Sequence, residues 1–216
     1  MKDNTIKHIC FDLDGTLVES KKTILESTRA ALNKLNIKHN IPEDSFNNMI
    51  GKHFVDIFIE LEMDDVDFEE FITIYKELYF DFIESSYLYD GVKQILDYLN
   101  SKKIKVSLLT TKGQGQAEKI IDHFNLRKSF DYLMGRRDGL AHKPSPEPLI
   151  YICKELKVEP AETLMVGDTE LDIQCGKNAG AKTCGVLYGY RTKDQIEKEK
   201  PYIILSSIAE LKNFLG

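Results

Sequence analysis

The chain has 216 residues, enough for one good core and an additional module, and its 42% hydrophobic and 30% charged residues are the balance of an ordinary globular protein. Lys and Arg number 29 against 35 Asp and Glu, a formal charge of −6, which offers no field to nucleic acid or an anionic membrane, so any bound anion must be held by a local site. There is no apolar run of about 18 residues, the Met1-Lys2-Asp3 start is polar, and Cys10, Cys153, Cys175 and Cys184 lack CxxC spacing; membrane span, signal peptide and disulfide framework are all unexpected, and buried thiols in a reducing cytoplasm are the simplest reading.

The first element is an apolar run, Ile9-Cys10-Phe11, that leads into Asp12-Leu13-Asp14-Gly15-Thr16-Leu17. The run predicts a buried strand, and Gly15-Thr16 predicts that the chain turns out of the sheet just after two carboxylates. Residues from about 19 to 86 then read as a helical module without a convincing strand. Ile24, Leu25, Thr28, Leu32 and Leu35 share one helical face; Phe54, Ile57, Phe58 and Leu61 share a second; Phe71, Tyr75, Leu78 and Phe82 mark a third. The acidic stretch from Glu60 to Glu70 (Glu62, Asp64, Asp65, Asp67 and Glu69 within it) lacks calcium-loop spacing and its glycine, and reads as a solvated loop and helix face.

From Tyr89-Asp90-Gly91 the pattern changes to alternating helices and strands. Val92, Ile95, Leu96 and Leu99 form a helical stripe before a strand at Val106 to Leu109; Ala117, Ile120, Ile121 and Phe124 precede a strand at Tyr132 to Met134. Leu149, Ile152, Cys153 and Leu156 precede a strand at Thr163 to Val166; a helix ending at Ala179-Gly180 precedes strands at Thr183 to Leu187 and Tyr202 to Leu205. A last helix carries Ile208, Leu211 and Leu215. This alternation predicts an α/β fold, a doubly wound parallel sheet, with residues 1–18 and 87–216 as the core and 19–86 as an inserted helical domain.

Polar residues cap the strands. Thr110-Thr111-Lys112-Gly113 follows the second; Gly167-Asp168-Thr169-Glu170-Leu171-Asp172 follows the fourth; Lys143-Pro144-Ser145-Pro146 leads into a helix between them. In a parallel sheet these ends share one edge, where open α/β sheets bind ligands, so Asp12, Asp14, Thr110, Lys143 and Asp168 can meet in one crevice. Singly, each has an ordinary reading: a helix cap, a turn residue, a strand-end hydroxyl, a solvated lysine. Their joint placement at strand ends points to a site.

These four motifs, in this order, resemble the haloacid dehalogenase superfamily. The helical insertion resembles the cap of the subgroup that contains phosphoglycolate phosphatases, bacterial pyrophosphatases and β-phosphoglucomutases, and His142-Lys143-Pro144-Ser145-Pro146-Glu147-Pro148 and Leu187-Tyr188-Gly189-Tyr190 are most similar to the phosphoglycolate phosphatase-like members; Val18-Glu19-Ser20 departs mildly, since many relatives have Asp before Ser. The resemblance implies a phosphatase for a small phosphorylated metabolite such as phosphoglycolate or pyrophosphate. Asp12 is then the nucleophile and Asp14 the acid and base; Thr110 and Thr111 hold phosphoryl oxygens beside Lys143. Mg²⁺ is implied on Asp12, the Asp14 carbonyl and Asp168, with Asp172 behind them. Such an enzyme is expected to be a monomer or weak homodimer, without nucleic acid or membrane partners.

A carboxylate approaching a phosphate dianion at ~3.5 Å meets roughly 9 kcal/mol of repulsion at an effective dielectric near 20, so cations are required. Other readings of the resemblance are a dehalogenase, which needs neither Asp14 nor a metal, and a phosphonoacetaldehyde hydrolase, whose relatives lack the second aspartate; Asp14 speaks against both. A phosphomutase of the β-phosphoglucomutase type and a non-catalytic phosphometabolite-binding protein stay as alternatives. Lys52, preceded by Gly51 in the insertion, is a candidate for an anionic substrate tail; a solvated lysine opening the Phe54 helix is equally compatible.

Overall fold

A computed structural model describes residues 6–63 and 66–215. The Met1-Lys2-Asp3 start and the acidic Asp64 and Asp65 lie outside the described residues. The chain divides into two units, Met1–Leu17 with Leu88–Gly216, and Val18–Tyr87. The strands in chain order are β1 (His8–Phe11), β2 (Val18–Glu19), β3 (Tyr87–Leu88), β4 (Lys105–Gly113), β5 (Tyr132–Arg136), β6 (Thr163–Gly167), β7 (Lys182–Val186) and β8 (Ile203–Leu205).

The helical unit contains α1 (Lys21–Lys34), α2 (Glu43–Met49), α3 (Phe54–Glu60) and α4 (Phe68–Leu78). Ile24, Leu25, Thr28 and Leu32 of α1 are buried as the periodicity predicts. Phe54, Phe58, Phe71 and Tyr75 interlock edge to face, with ring centroids 4.7–5.1 Å apart. Three local expectations need correction. The third helix stops at Leu78, and Phe82 lies between two 3₁₀ turns. Helix α2 escaped the sequence reading because it buries only Phe46 and Met49, too few apolar residues to show a period. The paired strands β2 and β3 also escaped it, being two residues each and too short to alternate.

In the other unit the six-stranded sheet has the order β5-β4-β1-β6-β7-β8, and every adjacent pair is parallel. Its helices are α5 (Val92–Ser101), α6 (Gln114–His123), α7 (Glu147–Leu156), α8 (Glu170–Asn178), α9 (Lys193–Lys198) and α10 (Leu211–Leu215). Helix α9 has one buried residue, Ile196, and gives no stripe to read. Val92, Ile95, Leu96 and Leu99 of α5 are fully buried, each contributing roughly 1.5–3 kcal/mol. Cys10, Leu109, Met134 and Met165 on the strands pack with Leu149, Ile152, Cys153 and Cys175 from α7 and α8 in one core cluster. All four cysteines are free and buried. Among the described residues no helix is long and apolar enough to cross a membrane.

The sheet reverses its winding direction between β1 and β6. The chain runs outward through β4 and β5, then returns to the far side of β1. That switch leaves a crevice beyond the carboxyl ends of β1 and β6. The centre strand also carries a polar residue, His8, fully buried. Its Nδ1 lies 3.0 Å from Thr163 Oγ1 on β6 and its Nε2 lies 2.7 Å from Ser107 Oγ on β4. Burial pulls its pKa down to about 4, against the attraction of Asp131, so the ring is neutral at pH 7.

Candidate active site

Asp12 leaves β1 at the switch point. Its backbone N–H donates to the Val166 carbonyl at 2.9 Å, and the chain then turns, with Leu17 N–H donating to Leu13 O at 2.9 Å. Gly15 adopts φ +83° in this turn, and a Cβ there would lie 2.3 Å from Asp168 Oδ2; only glycine permits both the conformation and the approach. Asp168 follows β6 directly and is fully buried. Thr16 Oγ1 donates to its Oδ1 at 3.1 Å and Tyr190 N–H to its Oδ2 at 2.8 Å. Gly189 presses against the same carboxylate: a Cβ there would lie 2.2 Å from Asp168 Cβ.

Lys143 comes from the loop before α7 and is 4% exposed. Its Nζ donates to Asp12 Oδ1 at 2.5 Å and to Asp172 Oδ1 at 2.6 Å. Asp172 is fixed because it also closes the capping box of α8, accepting from Thr169 N–H at 3.0 Å and from Thr169 Oγ1 at 2.7 Å. A helix start thus doubles as the anchor of the lysine. Thr110 is buried near the end of β4, where its Oγ1 accepts from Lys112 N–H at 3.2 Å, and Thr111 beside it is half-buried. Asp14 is held by Lys112, whose Nζ lies 3.2 Å from Asp14 Oδ2.

Three buried carboxylates, Asp12, Asp168 and Asp172, gather here, and two of them, Asp12 and Asp172, hold one lysine. Burial pushes the Asp12 carboxyl well above its ordinary range; Asp172 and Asp168 add to this while Lys143 opposes it. Asp168 is pushed up to about 7 by burial and by Asp172, against the Tyr190 N–H and Thr16 hydroxyl. Burial disfavours the Lys143 cation, yet Asp12 and Asp172 outweigh it and raise its pKa. Arg191 makes a bidentate pair with Glu170 at 2.7 and 3.2 Å and its charge also draws the Asp168 carboxyl down.

This surplus of buried negative charge suits a hard divalent cation. Oxygens of Asp12, Asp168 and Asp172 lie within 4.8 Å of one another, an all-oxygen donor set. Both oxygens of Asp172 are engaged by Lys143 and Thr169. Asp12 Oδ2 takes no hydrogen bond among the described residues, and each Asp168 oxygen takes one and keeps a lone pair. Asp12 and Asp168 therefore fit as ligands, with Asp172 orienting the lysine.

The sequence reading missed Thr16, Lys112, Gly189 and the Tyr190 N–H. Lys112 did leave a signal, since it stands two residues after Thr110 and side chains two apart in a strand share a face. Lys52 belongs to the helical unit, in the turn after α2, and its Nζ pairs with Glu60 Oε1 at 2.5 Å.

Residues 9–186 match the family model described as haloacid dehalogenase-like hydrolase. The chain belongs to this family. Similar relatives include the phosphoglycolate phosphatase of Aquifex aeolicus, 34% identical over 84% of this chain and 85% of that one. The pyrophosphatase PpaX of Bacillus mycoides is 32% identical over 100% of this chain and 98% of that one. Among solved structures of the fold, one described as a predicted phosphoglycolate phosphatase from Haemophilus somnus superposes with a TM-score of 0.84 at 26% identity, with both chains fully covered. Among the described residues, Asp12, Asp168 and Asp172 are the one group of three buried carboxylates whose oxygens gather in this way.

Proposed function

We propose that this hydrolase is a Mg²⁺-dependent phosphatase that cleaves a small phosphorylated metabolite, a phosphoglycolate-like monoester or pyrophosphate, through an aspartyl-phosphate on Asp12. The observation that carries this reading is the buried Lys143, bonded to Asp12 and Asp172 beside Asp168. The phosphatase names of the relatives support it.

Asp12 is oriented by Lys143, which also lowers the repulsion that an incoming phosphate dianion meets. Asp12, the Asp14 carbonyl and Asp168 would hold the Mg²⁺, which when bound supplies the remaining positive charge against the phosphoryl oxygens. As the Asp12 oxygen bonds to phosphorus, the bond to the leaving oxygen breaks and Asp14 gives that oxygen a proton. Asp14, now a carboxylate, takes a proton from water; the water oxygen bonds to phosphorus and the Asp12 ester breaks, releasing phosphate. Thr110 and Thr111 are assigned to the phosphoryl oxygens, and Lys112 keeps Asp14 in place. Lys52 is assigned to an anionic substrate tail, which would have to replace Glu60 as its partner.

The test is hydrolysis of p-nitrophenyl phosphate by wild type and Asp12→Asn, each with Mg²⁺ or EDTA. The expected result is turnover by wild type with Mg²⁺ alone, because the amide keeps the shape but loses the nucleophile and a ligand charge. Undiminished turnover in Asp12→Asn, or in EDTA, would refute the mechanism.

A further inference from the structure

The opposite edge of the sheet carries a feature that this chemistry leaves unused. A groove of about 780 Å³ opens at the amino ends of the strands, within the size range of small-molecule sites. Lys7, Lys102, Lys103, Lys105, Lys157 and Lys182 line it, and among the described residues no carboxylate does. In a chain of net charge −6 this is a local field of opposite sign. It is remote from the phosphoryl chemistry: Lys7 and Asp12 bracket the four residues of β1, about 17 Å apart at the rise of an extended strand.

Lysines also gather where helices end, and Lys102 and Lys157 are the C-terminal caps of α5 and α7. Charge counting shows that helix ends alone do not account for the cluster. Two helix ends carry about −0.5 each. Lys7 is neutralised by Glu162 at 2.6 Å and Lys105 by Asp131 at 2.7 Å. With Lys182 set aside, about +2 remains on Lys102, Lys103 and Lys157. Among the described residues Lys102, Lys103 and Lys157 have no carboxylate partner within 4.0 Å. Lys182 Nζ sits 5.0 Å over the ring of Tyr202, a lining residue that is 59% exposed, and Phe214 meets that ring edge-on at 6.1 Å. The groove thus pairs a spread of point cations with an exposed aromatic face.

We propose that this groove is a second anion site that binds a linear polyphosphate, free or carried by a nucleoside. A chain of phosphates matches a net positive charge of about +2 distributed over several lysines, and lysine serves phosphate as a point charge. An orthophosphate would meet only part of that field. A nucleoside, where present, would place its base against Tyr202, since rings stack on bases irrespective of base identity.

Binding to the full chain is measured by calorimetry in EDTA, with tripolyphosphate, ATP, AMP and orthophosphate in the Asp12→Asn background to suppress turnover. Tripolyphosphate is expected to bind at least about tenfold more tightly than orthophosphate, with affinity falling as salt rises. Lys103→Glu should weaken it several-fold, and Lys103→Glu with Lys157→Glu and Lys182→Glu about thirtyfold or more. The same reversals in an otherwise wild-type chain should leave p-nitrophenyl phosphate turnover unchanged, which shows the fold intact. Equal affinity for ATP and tripolyphosphate assigns the phosphate chain alone as ligand; tighter ATP binding that is lost in Tyr202→Ala assigns a nucleoside polyphosphate. Affinity no better than for orthophosphate, or affinity indifferent to the lysine reversals, would overturn the proposal.

Discussion

Replacing Lys143 by methionine removes a charge while keeping most of the side-chain volume, and the structure sets the size of the loss. At 2.5 and 2.6 Å the lysine makes two contacts worth about 6–7 kcal/mol each of Coulomb attraction at an effective dielectric near 20. Part of this is returned when the buried ammonium no longer has to be desolvated. The remaining loss is about 3–5 kcal/mol, as for other buried pairs broken on one side. For a chain of this length that is a fall in Tm of roughly 10 °C or more. The deficit has a definite pH dependence. Burial raises the folded-state pKa of Asp12, and without Lys143 it rises further. A raised carboxylate pKa contributes stability below the unfolded value and loses it as pH climbs through the folded one. The variant should therefore be nearest to wild type in acid and furthest from it in base. Urea unfolding of both proteins at pH 5 and pH 8 in EDTA reads this directly. A deficit under about 1 kcal/mol, or one equal at both pH values, would mean that Lys143 does not neutralise the carboxylate cluster.

Other expectations are as specific. Asp14→Asn should cost about 10²–10⁴-fold on alkyl phosphates but much less on p-nitrophenyl phosphate, whose leaving group needs no proton; equal losses on both would remove Asp14 from the acid role. Gly189→Ala forces a methyl into Asp168 and should weaken Mg²⁺ affinity, read as a smaller Mg²⁺-induced rise in Tm, while the Tm in EDTA changes less. An unchanged Mg²⁺ shift would mean that Asp168 does not hold the ion. His8, with its pKa lowered from 6.5 to about 4, should cost the fold on the order of 3 kcal/mol as pH falls from 6.5 to 4, because only the unfolded chain takes up the proton over that window. Urea unfolding of wild type and His8→Gln across this range should show a flatter acid limb in the variant; parallel limbs would exclude the histidine as the cause.

Much of this molecule is legible without coordinates. Ile9-Cys10-Phe11 and Thr163 to Val166 read as buried strands because a strand covered on both faces admits only apolar or small residues, and the carboxylates that follow each run had to lie at its end. Periodicity likewise revealed α1, α3 and α5. It failed for α2 and α9, whose buried faces hold two residues and one, because a period cannot be counted from so few. Nothing in the local pattern around His8 reveals its role, because its two hydroxyl partners sit on strands 99 and 155 residues away.

The sequence by itself marked which side chains are candidates for chemistry, since Asp12, Asp14, Thr110, Asp168 and Asp172 stand at or just past the ends of apolar runs and Lys143 in the polar loop that leads into a helix. The tertiary structure decided how they are paired. Lys143 meets Asp12 across 131 positions and Thr16 meets Asp168 across 152, contacts that exist because β6 returns to the far side of β1. Gly189 and Lys112 gained their roles in the same way, one by its lack of a side chain against Asp168 and one by its strand face. Local pattern records burial and period along the chain, whereas strand order is settled by the packing of distant segments, and so the pairings appear only in three dimensions.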